Sequence, residues 1–301
     1  MLNNPLVTII CLCYNHDAYV VESLNAVLNQ SYPSIELIIV DDCSSDNSTK
    51  VISNWLAKNP EVQFVTNETN LGNTKSFNKA LKLAKGEFII DLAADDILLP
   101  NCLTLQIEAF KKNSYKNLGV VYGNVELITE NGAFDSYFFP VNDQKKVIEK
   151  RAKGDIYLSV ISGGNSICSV SAMMKKSILD QLEGYDENLA YEDLDFWIRA
   201  SRQYEFDYID EILVQKRVVT DSLGTQFFKK NNEPARKINH STYLILKKGI
   251  ALNRNRAEDL AIQKRVHHEI VHSLKMNDFN LFFKFIELRF LLFKRKFFAH
   301  K

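Results

Sequence analysis

The sequence has little of the residue types that mark several special classes of protein. Its 301 residues include only 5 cysteines, 6 prolines and 11 glycines. These counts exclude a collagen-like chain, a low-complexity disordered chain and a small domain held together by disulfides. The cysteines are odd in number and lack the spacing of metal ligands, so we expect buried, reduced thiols. They are Cys11, Cys13, Cys43, Cys102 and Cys168.

Neither sign of charge is in excess, and long apolar runs are absent. Lysine and arginine total 37, as do aspartate and glutamate, and this balance gives no electrostatic case for nucleic-acid binding. No run reaches the roughly 18 consecutive apolar residues of a transmembrane helix. The first residues also lack the basic and apolar regions of a secretion signal. We therefore expect a cytoplasmic protein that binds no nucleic acid.

Hydrophobic periodicity predicts alternating strands and helices in the first hundred residues. This alternation is typical of a parallel sheet with helices on both faces, so we expect an α/β fold. Beyond residue 115, shorter strands and an Asn131-Gly132 turn predict a partly antiparallel part, and the chain from Pro234 onward is predicted to be helical. The predicted strands are 6–13, 35–41, 62–66, 88–92, 119–122, 125–129 and 134–139, and the predicted helices are 19–30, 48–59 and 74–84.

Acidic side chains follow two of the predicted parallel strands. Asp41 and Asp42 end the second strand, and Asp95 and Asp96 follow the fourth. Ligands of open parallel sheets bind outside the carboxyl ends of the strands, where a carboxylate can accept hydrogen bonds from a base or a ribose. Two adjacent carboxylates are costly to bury unless a cation such as Mg²⁺ or Mn²⁺ neutralises them. Capping of the next helix, by Asp46 or a nearby serine, is the alternative role for the polar run after the second strand.

A third acidic cluster begins a predicted helix in the second half of the chain. Leu194, Trp197 and Ile198 have helical spacing and would pack inward, which leaves Glu192 and Asp193 at the N-terminal end. Carboxylates at that end are favoured by the helix dipole, which would be a structural role. A carboxylate in that place could equally act as a general base for a hydroxyl group. The residues alone leave both roles open.

Taken together, the motifs resemble the family two inverting nucleotide-sugar glycosyltransferases, which have the GT-A fold. The resemblance covers about residues 5 to 220, and no single motif carries it. The motifs are Pro5–Ile10 with Tyr14-Asn15, Gln30–Pro33, Glu36–Ser44, Asn70–Asn78, Lys85–Ile90, Asp95–Pro100, Gly184–Glu187 and Glu192–Arg199.

The resemblance implies a mixed, mainly parallel sheet flanked by helices. It places a GT-A domain at residues 1–225, with a nucleotide-binding half at 1–115 and an acceptor-binding half at 116–225. Residues 226–301 would form a helical C-terminal extension. The implied activity is transfer of a sugar, with inversion, from a UDP-sugar to a glycan or lipid-linked acceptor in bacterial surface polysaccharide synthesis.

The resemblance also implies which residues bind the donor. Tyr14, Asn15 and Asp42 would form a nucleotide cradle, with Asp42 on the base, Asp41 beside it and Lys75 close to the nucleotide. The ribose and a Mn²⁺ or Mg²⁺ ion on the diphosphate would be held by the next acidic pair. That pair is Asp95 and Asp96.

On the acceptor side, the resemblance makes Asp193 the catalytic base and Glu192 its support. A Gly-rich segment would line the sugar and acceptor pocket, although a plain turn is the alternative role for the glycine pair. The residues assigned to the acceptor side are Gly163, Gly164, Asn165 and Trp197.

The sequence departs from the family pattern at three places. Ala93 replaces an aspartate that many members have, and Phe77 replaces an arginine. The segment after Lys216-Arg217 lacks a histidine, so either cation could meet the diphosphate instead. These departures keep a degenerate sugar-nucleotide-binding or scaffold protein open as an alternative. A nucleotidyltransferase is a further alternative, but the first strand is not followed by the Gly-rich loop such enzymes use.

The last segment, residues 279–298, is dense in phenylalanine and leucine, with lysines and arginines among them. A basic helix rich in aromatics can lie in a membrane interface, which would suit an enzyme with a lipid-linked acceptor. Packing against its own domain or against a second subunit of a homodimer is the alternative.

Overall fold

A computed structural model describes residues 4–163, 167–219, 227, 230 and 232–298. The chain divides into two compact units, which we call the sheet unit and the helical unit. The sheet unit comprises residues 1–154, 167–185 and 204–219, and the helical unit comprises 155–166, 186–203 and 220–301. The C-terminal helices thus share a unit with two earlier segments. The domain boundaries expected from the sequence stay a prediction.

The strands all belong to the sheet unit. They are β1 (Val7–Cys13), β2 (Ile35–Asp41), β3 (Gln63–Thr66), β4 (Phe88–Ala93), β5 (Ile97–Leu98), β6 (Leu118–Ile128), β7 (Phe134–Tyr137), β8 (Met173–Lys175) and β9 (Glu205–Arg217). Their order is β3-β2-β1-β4-β8-β6-β9-β5, with β7 paired to β6. The first four strands are parallel, whereas β8 runs antiparallel to both β4 and β6. The predicted change from a parallel to a mixed part is confirmed.

The helices flank the sheet or form the second unit. They are α1 (Val20–Leu28), α2 (Ser48–Leu56), α3 (Asn73–Leu81), α4 (Cys102–Lys112), α5 (Tyr157–Ser162), α6 (Lys176–Gln181), α7 (Asp193–Ser201), α8 (Glu233–Leu252), α9 (Arg256–Lys275) and α10 (Phe279–Phe298). Helices α5 and α7 to α10 belong to the helical unit. The prediction of helices from Pro234 onward is confirmed.

Strand β1 shows how the sequence determines the core of the sheet unit. Its seven residues contain no charge, and alternate residues such as Ile9 and Cys11 share one apolar cluster with Val20 and Leu24 of α1. A strand buried on both faces needs a mostly apolar run. Its one polar residue, Thr8, is buried and donates its hydroxyl to Glu36 at 2.5 Å.

Strand β6 differs from the prediction, which placed two short strands at 119–122 and 125–129. The structure has one strand over Leu118–Ile128, with shifts in its register against β9 at Tyr122 and Asn124. Gly123 lies between them, and a Cβ there would come within 2.5 Å of Leu213 on β9. The glycine permits the two strands to approach closely, so one strand continues where the prediction left a gap.

Two further expectations can be compared with the structure. Four of the cysteines are buried, but Cys43 is exposed, so the expectation of buried thiols is wrong for this residue. None of the helices described is both long enough and apolar enough to cross a membrane.

Candidate functional site

The acidic strand ends lie together at one edge of the sheet unit. In the register of the parallel strands, Cys13 of β1 pairs with Asp41 of β2, and Leu12 pairs with Ala93 of β4. The backbone N–H of Asp42 donates to the Cys13 carbonyl at 2.9 Å, so the second carboxylate leaves the sheet at the same edge. The three strand ends therefore bring the predicted nucleotide residues of β1, β2 and β4 to one place.

The loops after β1 and β2 are linked by hydrogen bonds that use Asn15. Its backbone has a φ of +57°, its N–H donates to Ser44 Oγ at 2.9 Å, and its side-chain oxygen accepts from the Ser45 N–H at 2.8 Å. The structure thus gives Asn15 a role in positioning the loop. Tyr14 is different, because its side chain is 45% exposed and so leaves an aromatic ring available at this edge.

Asp41 and Asp42 are both buried, and most of their oxygens are already used. Asp41 Oδ1 accepts from the Ser44 N–H at 3.0 Å, whereas its Oδ2 is buried without a hydrogen-bond partner. Asp42 accepts from the backbone of Leu71 at 2.8 Å and of Gly72 at 2.8 Å. The pair therefore organises the loops before α2 and α3, and Asp41 Oδ2 keeps acceptor capacity for a ligand.

The polar run before α2 fills the expected capping role only in part, because the N-cap residue is Asn47 and it makes no side-chain cap hydrogen bond. Asp46 Oδ1 accepts from the Ser48 N–H at 2.8 Å, and its other oxygen accepts from the Asp17 N–H at 3.0 Å. Burial alone would raise the pKa of Asp46, but these hydrogen bonds, together with one from the Ser48 hydroxyl, lower it. Ser48 in turn accepts from the His16 N–H at 3.0 Å. Asp46, the residue before the N-cap, thus accepts from the first N–H of α2 and links the two loops in one polar network.

Asp95 and Asp96 follow β4 and are buried. Asp96 is 1% exposed, and its desolvation raises its pKa to about 7, an effect that nearby Lys216 opposes and Asp95 increases. Asp96 Oδ2 is buried without a hydrogen-bond partner. His16 Nδ1, also buried without a hydrogen-bond partner, lies 3.7 Å from Asp95 Oδ1. Sequence reasoning missed this histidine.

The chemistry of this acidic pair suits a divalent cation. Carboxylate oxygens are preferred ligands of Mg²⁺ and Mn²⁺, and a cation would satisfy the buried Asp96 Oδ2. Across the described part of the chain, no group of three or more His, Cys, Asp or Glu side chains is arranged to hold a metal. The protein would supply the two carboxylates, and the substrate and water would supply the other ligands.

Arg217, at the end of β9, holds the acidic pair in place from the neighbouring strand. Its backbone N–H donates to Asp96 Oδ1 at 2.9 Å, and its Nε donates to the Asp95 carbonyl at 3.3 Å. Nη1 donates to the Glu130 carbonyl at 2.9 Å, and Nη2 forms an ion pair with Glu22 at 2.6 Å. Each guanidinium nitrogen already has a protein acceptor. The contact of Lys216 or Arg217 with the diphosphate stays a prediction.

Helix α3 contains Phe77, at the position where many members of the resembled family have an arginine. Phe77 is fully buried and stacks on Tyr185 with 4.3 Å between ring centroids. Asn78 donates to the Tyr185 carbonyl at 2.8 Å and accepts from its N–H at 2.9 Å. Position 77 is therefore part of the core. Lys75, in the first turn of the same helix, is exposed, and its contact with a nucleotide stays a prediction.

In the helical unit, the third acidic cluster begins helix α7 as predicted. Glu192 is the N-cap residue, and Asp193 Oδ1 accepts from the Leu194 N–H at 2.6 Å. Both side chains are half-buried, as expected for carboxylates at a positive helix end. Trp197 is 5% exposed and contacts Phe196 edge-on. The catalytic role of Asp193 and the acceptor contact of Trp197 stay predictions.

Two residues further along α7 lies an ion cluster that sequence reasoning missed. Asp195 is 1% exposed and pairs with Arg199 at 2.7 Å and with Lys248 of α8 at 3.0 Å. Lys248 also pairs with Asp186. Burial alone would lower the pKa of Lys248, but its hydrogen bonds to the two aspartates raise it.

The glycine-rich segment is described only at its first residue. Gly163 ends helix α5 with a φ of +88°, and a Cβ there would come within 2.9 Å of the Arg265 side chain. A glycine is therefore required at this turn for structural reasons. Gly164 and Asn165 lie outside the described residues.

Comparison with known sequences identifies relatives of this chain. The profile of Glycosyl transferase family 2 matches residues 8–182. An uncharacterised glycosyltransferase of Methanocaldococcus jannaschii is 34% identical over 221 residues, which are 72% of each protein. The poly-β-1,6-N-acetyl-D-glucosamine synthase of Staphylococcus epidermidis is 30% identical over 205 residues, 67% of this chain and 47% of the synthase. The chain thus spans about half the length of the synthase.

Solved structures resemble the chain over most of its length. A mannosyltransferase of Pyrobaculum calidifontis in complex with GDP-Man and Mn²⁺ has a TM-score of 0.59 at 17% identity, over 91% of this chain and 76% of its own. TarS 1–349 of S. aureus in complex with UDP-GlcNAc has a TM-score of 0.57 at 17% identity, over 92% of this chain and 89% of its own. This likeness concerns the fold, and the GT-A fold expected from the sequence is confirmed.

Proposed function

Because the chain belongs to glycosyl transferase family 2, we propose that it transfers a sugar from a UDP-sugar to a hydroxyl group of a glycan or lipid-linked oligosaccharide, with inversion. The observation that carries this proposal is the meeting of Asp41, Asp42, Asp95 and Asp96 at one sheet edge. Carboxylates of this kind would hold the base, the ribose and the metal-bound diphosphate of a donor.

The donor half of the proposal uses the residues described at that edge. The exposed ring of Tyr14 would stack on the base, since every base presents an aromatic face. Asp41 Oδ2, which has no protein partner, and the remaining acceptor capacity of Asp42 would accept hydrogen bonds from the base and the ribose. Lys75 lies exposed in the first turn of α3, where a cation can contact a phosphate.

We propose that Asp95 and Asp96 hold Mn²⁺ or Mg²⁺ on the donor. When bound there, the ion stabilises the negative charge that develops on the leaving diphosphate. Arg217 and its hydrogen bonds keep the two carboxylates in place. The same burial that raises the pKa of Asp96 would favour a bound cation, because a cation offsets the cost of two adjacent buried carboxylates.

For the acceptor half, we propose that Asp193 is the general base. It takes the proton from the acceptor hydroxyl as that oxygen forms its bond to the anomeric carbon. The bond between this carbon and the diphosphate oxygen breaks in the same step, and the electron pair leaves with UDP. One displacement inverts the configuration and needs no covalent enzyme intermediate.

The named relatives suggest the class of substrate. The synthase of Staphylococcus epidermidis is named after the glycan poly-β-1,6-N-acetyl-D-glucosamine. The structures of the two solved enzymes were determined in complex with nucleotide sugars. We therefore propose a role in surface polysaccharide synthesis, at the inner face of the cell membrane, where a lipid-linked acceptor would be reached.

The first experiment tests a panel of nucleotides and nucleotide sugars for binding, with the thermal midpoint of unfolding as the readout. UDP and one UDP-sugar, with Mn²⁺, should raise the midpoint, since a ligand at about 100 times its Kd stabilises a protein by about 2.7 kcal/mol. The Asp95→Ala/Asp96→Ala variant should lose this response. Asp135→Ala, at an exposed position of β7, is the matched control and should keep it.

Three outcomes would count against the proposal. Stabilisation by GDP or another nucleotide alone would change the proposed donor. A response to no nucleotide would favour a degenerate protein that binds no donor. Binding of UDP-sugar without any release of UDP, across a panel of acceptors, would favour a sugar-nucleotide-binding protein rather than an enzyme.

A further inference from the structure

Helix α10 has two apolar faces, of which the described residues cover only one. One face packs into the helical unit through Leu281, Phe285, Leu288 and Leu292, each of which is at most 5% exposed. Within the part of the chain that the structure describes, the side chains of the other face are exposed. It is formed by Phe279 (60% exposed), Phe283 (62%), Ile286 (36%), Phe290 (57%) and Phe293 (56%), which we call the outer face.

The outer face is a straight stripe along the helix. Its residues are spaced alternately by four and three positions, so at about 100° per residue they fall within an arc of about 80°. The buried residues occupy the opposite side of the helix. At about 1.5 Å per residue, the stripe from Phe279 to Phe293 of α10 is about 21 Å long.

Basic residues lie on both sides of this stripe. Arg289 and Lys296 fall on one side of it and Lys294 on the other, and all three are exposed. Between residues 279 and 298 there are five basic residues and one acidic residue, Glu287, although the chain as a whole has no net charge. Aromatic rings between lysines and arginines are typical of helices that lie in the interface of an anionic membrane.

We propose that the outer face of α10 binds the surface of an anionic lipid bilayer, with the helix parallel to the membrane plane. The phenylalanines would enter the boundary between headgroups and acyl chains, and the flanking lysines and arginines would extend toward the lipid phosphates. This inference deepens the proposed function, since a lipid-linked acceptor lies at such a surface, but the membrane contact does not require that function.

Charge favours a lipid partner over a second copy of the chain. Two outer faces packed against each other would bring the same basic borders together, with only Glu287 available to each as a counter-charge. Like charges at such a border oppose association. An anionic bilayer instead supplies phosphates along the whole length of the stripe.

The test is co-sedimentation of the full chain with vesicles, of phosphatidylcholine alone or mixed with phosphatidylglycerol. We expect binding to the mixed vesicles that weakens at high salt. Phe283→Ser/Phe290→Ser should reduce the partition coefficient by about tenfold or more, because two exposed aromatic rings no longer enter the interface. Phe134→Ser/Ile148→Ser, at exposed apolar positions of the sheet unit, is the matched control and should bind as the wild type does.

The charge variant Arg289→Glu/Lys294→Glu gives an independent check and should lose the preference for phosphatidylglycerol. Equal binding by wild type and by both outer-face variants would overturn the proposal. It would also be overturned if the wild type ignored vesicles and sedimented as a dimer that the Phe283→Ser/Phe290→Ser variant dissociated. UDP binding is measured without vesicles, so failure of this inference can be told apart from failure of the proposed function.

Discussion

At the residue scale, Arg217 shows how one buried cation can hold an acidic pair in place through several hydrogen bonds. Arg217 is 4% exposed. Its guanidinium lies 4.7 Å from the Tyr19 ring and donates to oxygens of four other residues. Glu22, one of them, is 195 positions away in the sequence. A local motif cannot reveal such partners, so the sequence alone offered Lys216 or Arg217 only as cations that could meet the diphosphate.

We expect Arg217→Lys to weaken binding of UDP with Mn²⁺ by about tenfold, while a bound donor is turned over at a rate within a few-fold of the wild type. Lysine keeps the charge but lacks the planar guanidinium, which here donates to the Asp95 carbonyl, to the loop after β6 and to Glu22. The acidic pair would therefore lose its fixed position. Calorimetric titration with UDP at several Mn²⁺ concentrations measures this.

A purely structural role for Arg217 would give a different result. The thermal midpoint would fall, but the Mn²⁺ dependence of UDP binding would match that of the wild type. Arg151→Lys, at a cation that lies 4.4 Å from the Phe139 ring, is a suitable control because Arg151 does not contact the acidic pair in the described residues.

Asp193 gives a second prediction at this scale. Asp193→Asn should lower turnover by about 10²-fold or more, because the amide cannot take the proton from the acceptor hydroxyl. The Kd for UDP-sugar should stay within about twofold of the wild type, since the proposed role concerns the acceptor. Turnover is followed by UDP release with acceptor present. Asp143→Asn, in an exposed loop, should behave as the wild type, and an active Asp193→Asn enzyme would remove the residue from this role.

At the scale of elements, the strands and helices of the first hundred residues were predictable because their periodicity is local. The predicted strand 35–41 has the observed bounds of β2, and the predicted helix 48–59 ends three residues beyond α2. Strand β9 was missed. Its charged residues, such as Asp207, Asp210 and Glu211, obscure the strand pattern, and the strand is stabilised by pairing with β6, far away in the sequence.

Gly184, which follows the end of helix α6, gives a prediction about stability. Gly184 has a φ of +67°, and a Cβ there would collide with the side chain of Asn78, which two hydrogen bonds hold against Tyr185. Gly184→Ala should therefore lower the free energy of unfolding by about 2–4 kcal/mol, through backbone strain and overpacking together. Urea denaturation measures the change.

Gly132 provides the control, because it isolates the backbone effect. Its φ is +81°, but a Cβ there would meet its nearest neighbour, Arg217, only at 3.7 Å. Gly132→Ala should cost about 1 kcal/mol, the strain of a left-handed alanine alone. Equal losses in the two variants would show that the contact with Asn78 does not constrain Gly184.

At the scale of the whole molecule, the sequence predicted the family better than the individual contacts. The order of motifs over most of the sheet unit survives changes at single positions, so Phe77 and Ala93 did not hide it. The partners of each acidic residue come from loops that only the folded chain brings together, such as the loop before α3 for Asp42. Side-chain roles therefore depend on tertiary contacts that periodicity does not encode.

The ion cluster of the helical unit should make the stability of the whole chain depend on pH. Hydrogen bonds from Lys248 and Asn188 outweigh burial and hold the pKa of Asp186 below its ordinary value of 3.8. The contribution of Asp186 to stability is therefore present above pH 3.8 and is lost as the pH falls through the lower pKa of the folded state. The pKa of Lys248 is raised above its ordinary 10.5, so its contribution is present below that pH and is lost as the pH rises through the folded value.

Lys248→Met should therefore lower the free energy of unfolding by about 1–2 kcal/mol near neutral pH, a value reduced because the lysine side chain is 40% exposed. The difference from wild type should shrink as the pH falls below 3.8 or rises above 10.5, as linkage requires. Urea denaturation at a series of pH values measures this.

Lys237→Met on the same helix, where the lysine is 71% exposed and pairs with Glu233, should change stability by less than about 0.5 kcal/mol. A difference between wild type and Lys248→Met that did not vary with pH would show that packing of the lysine stem, rather than its charge, stabilises the cluster.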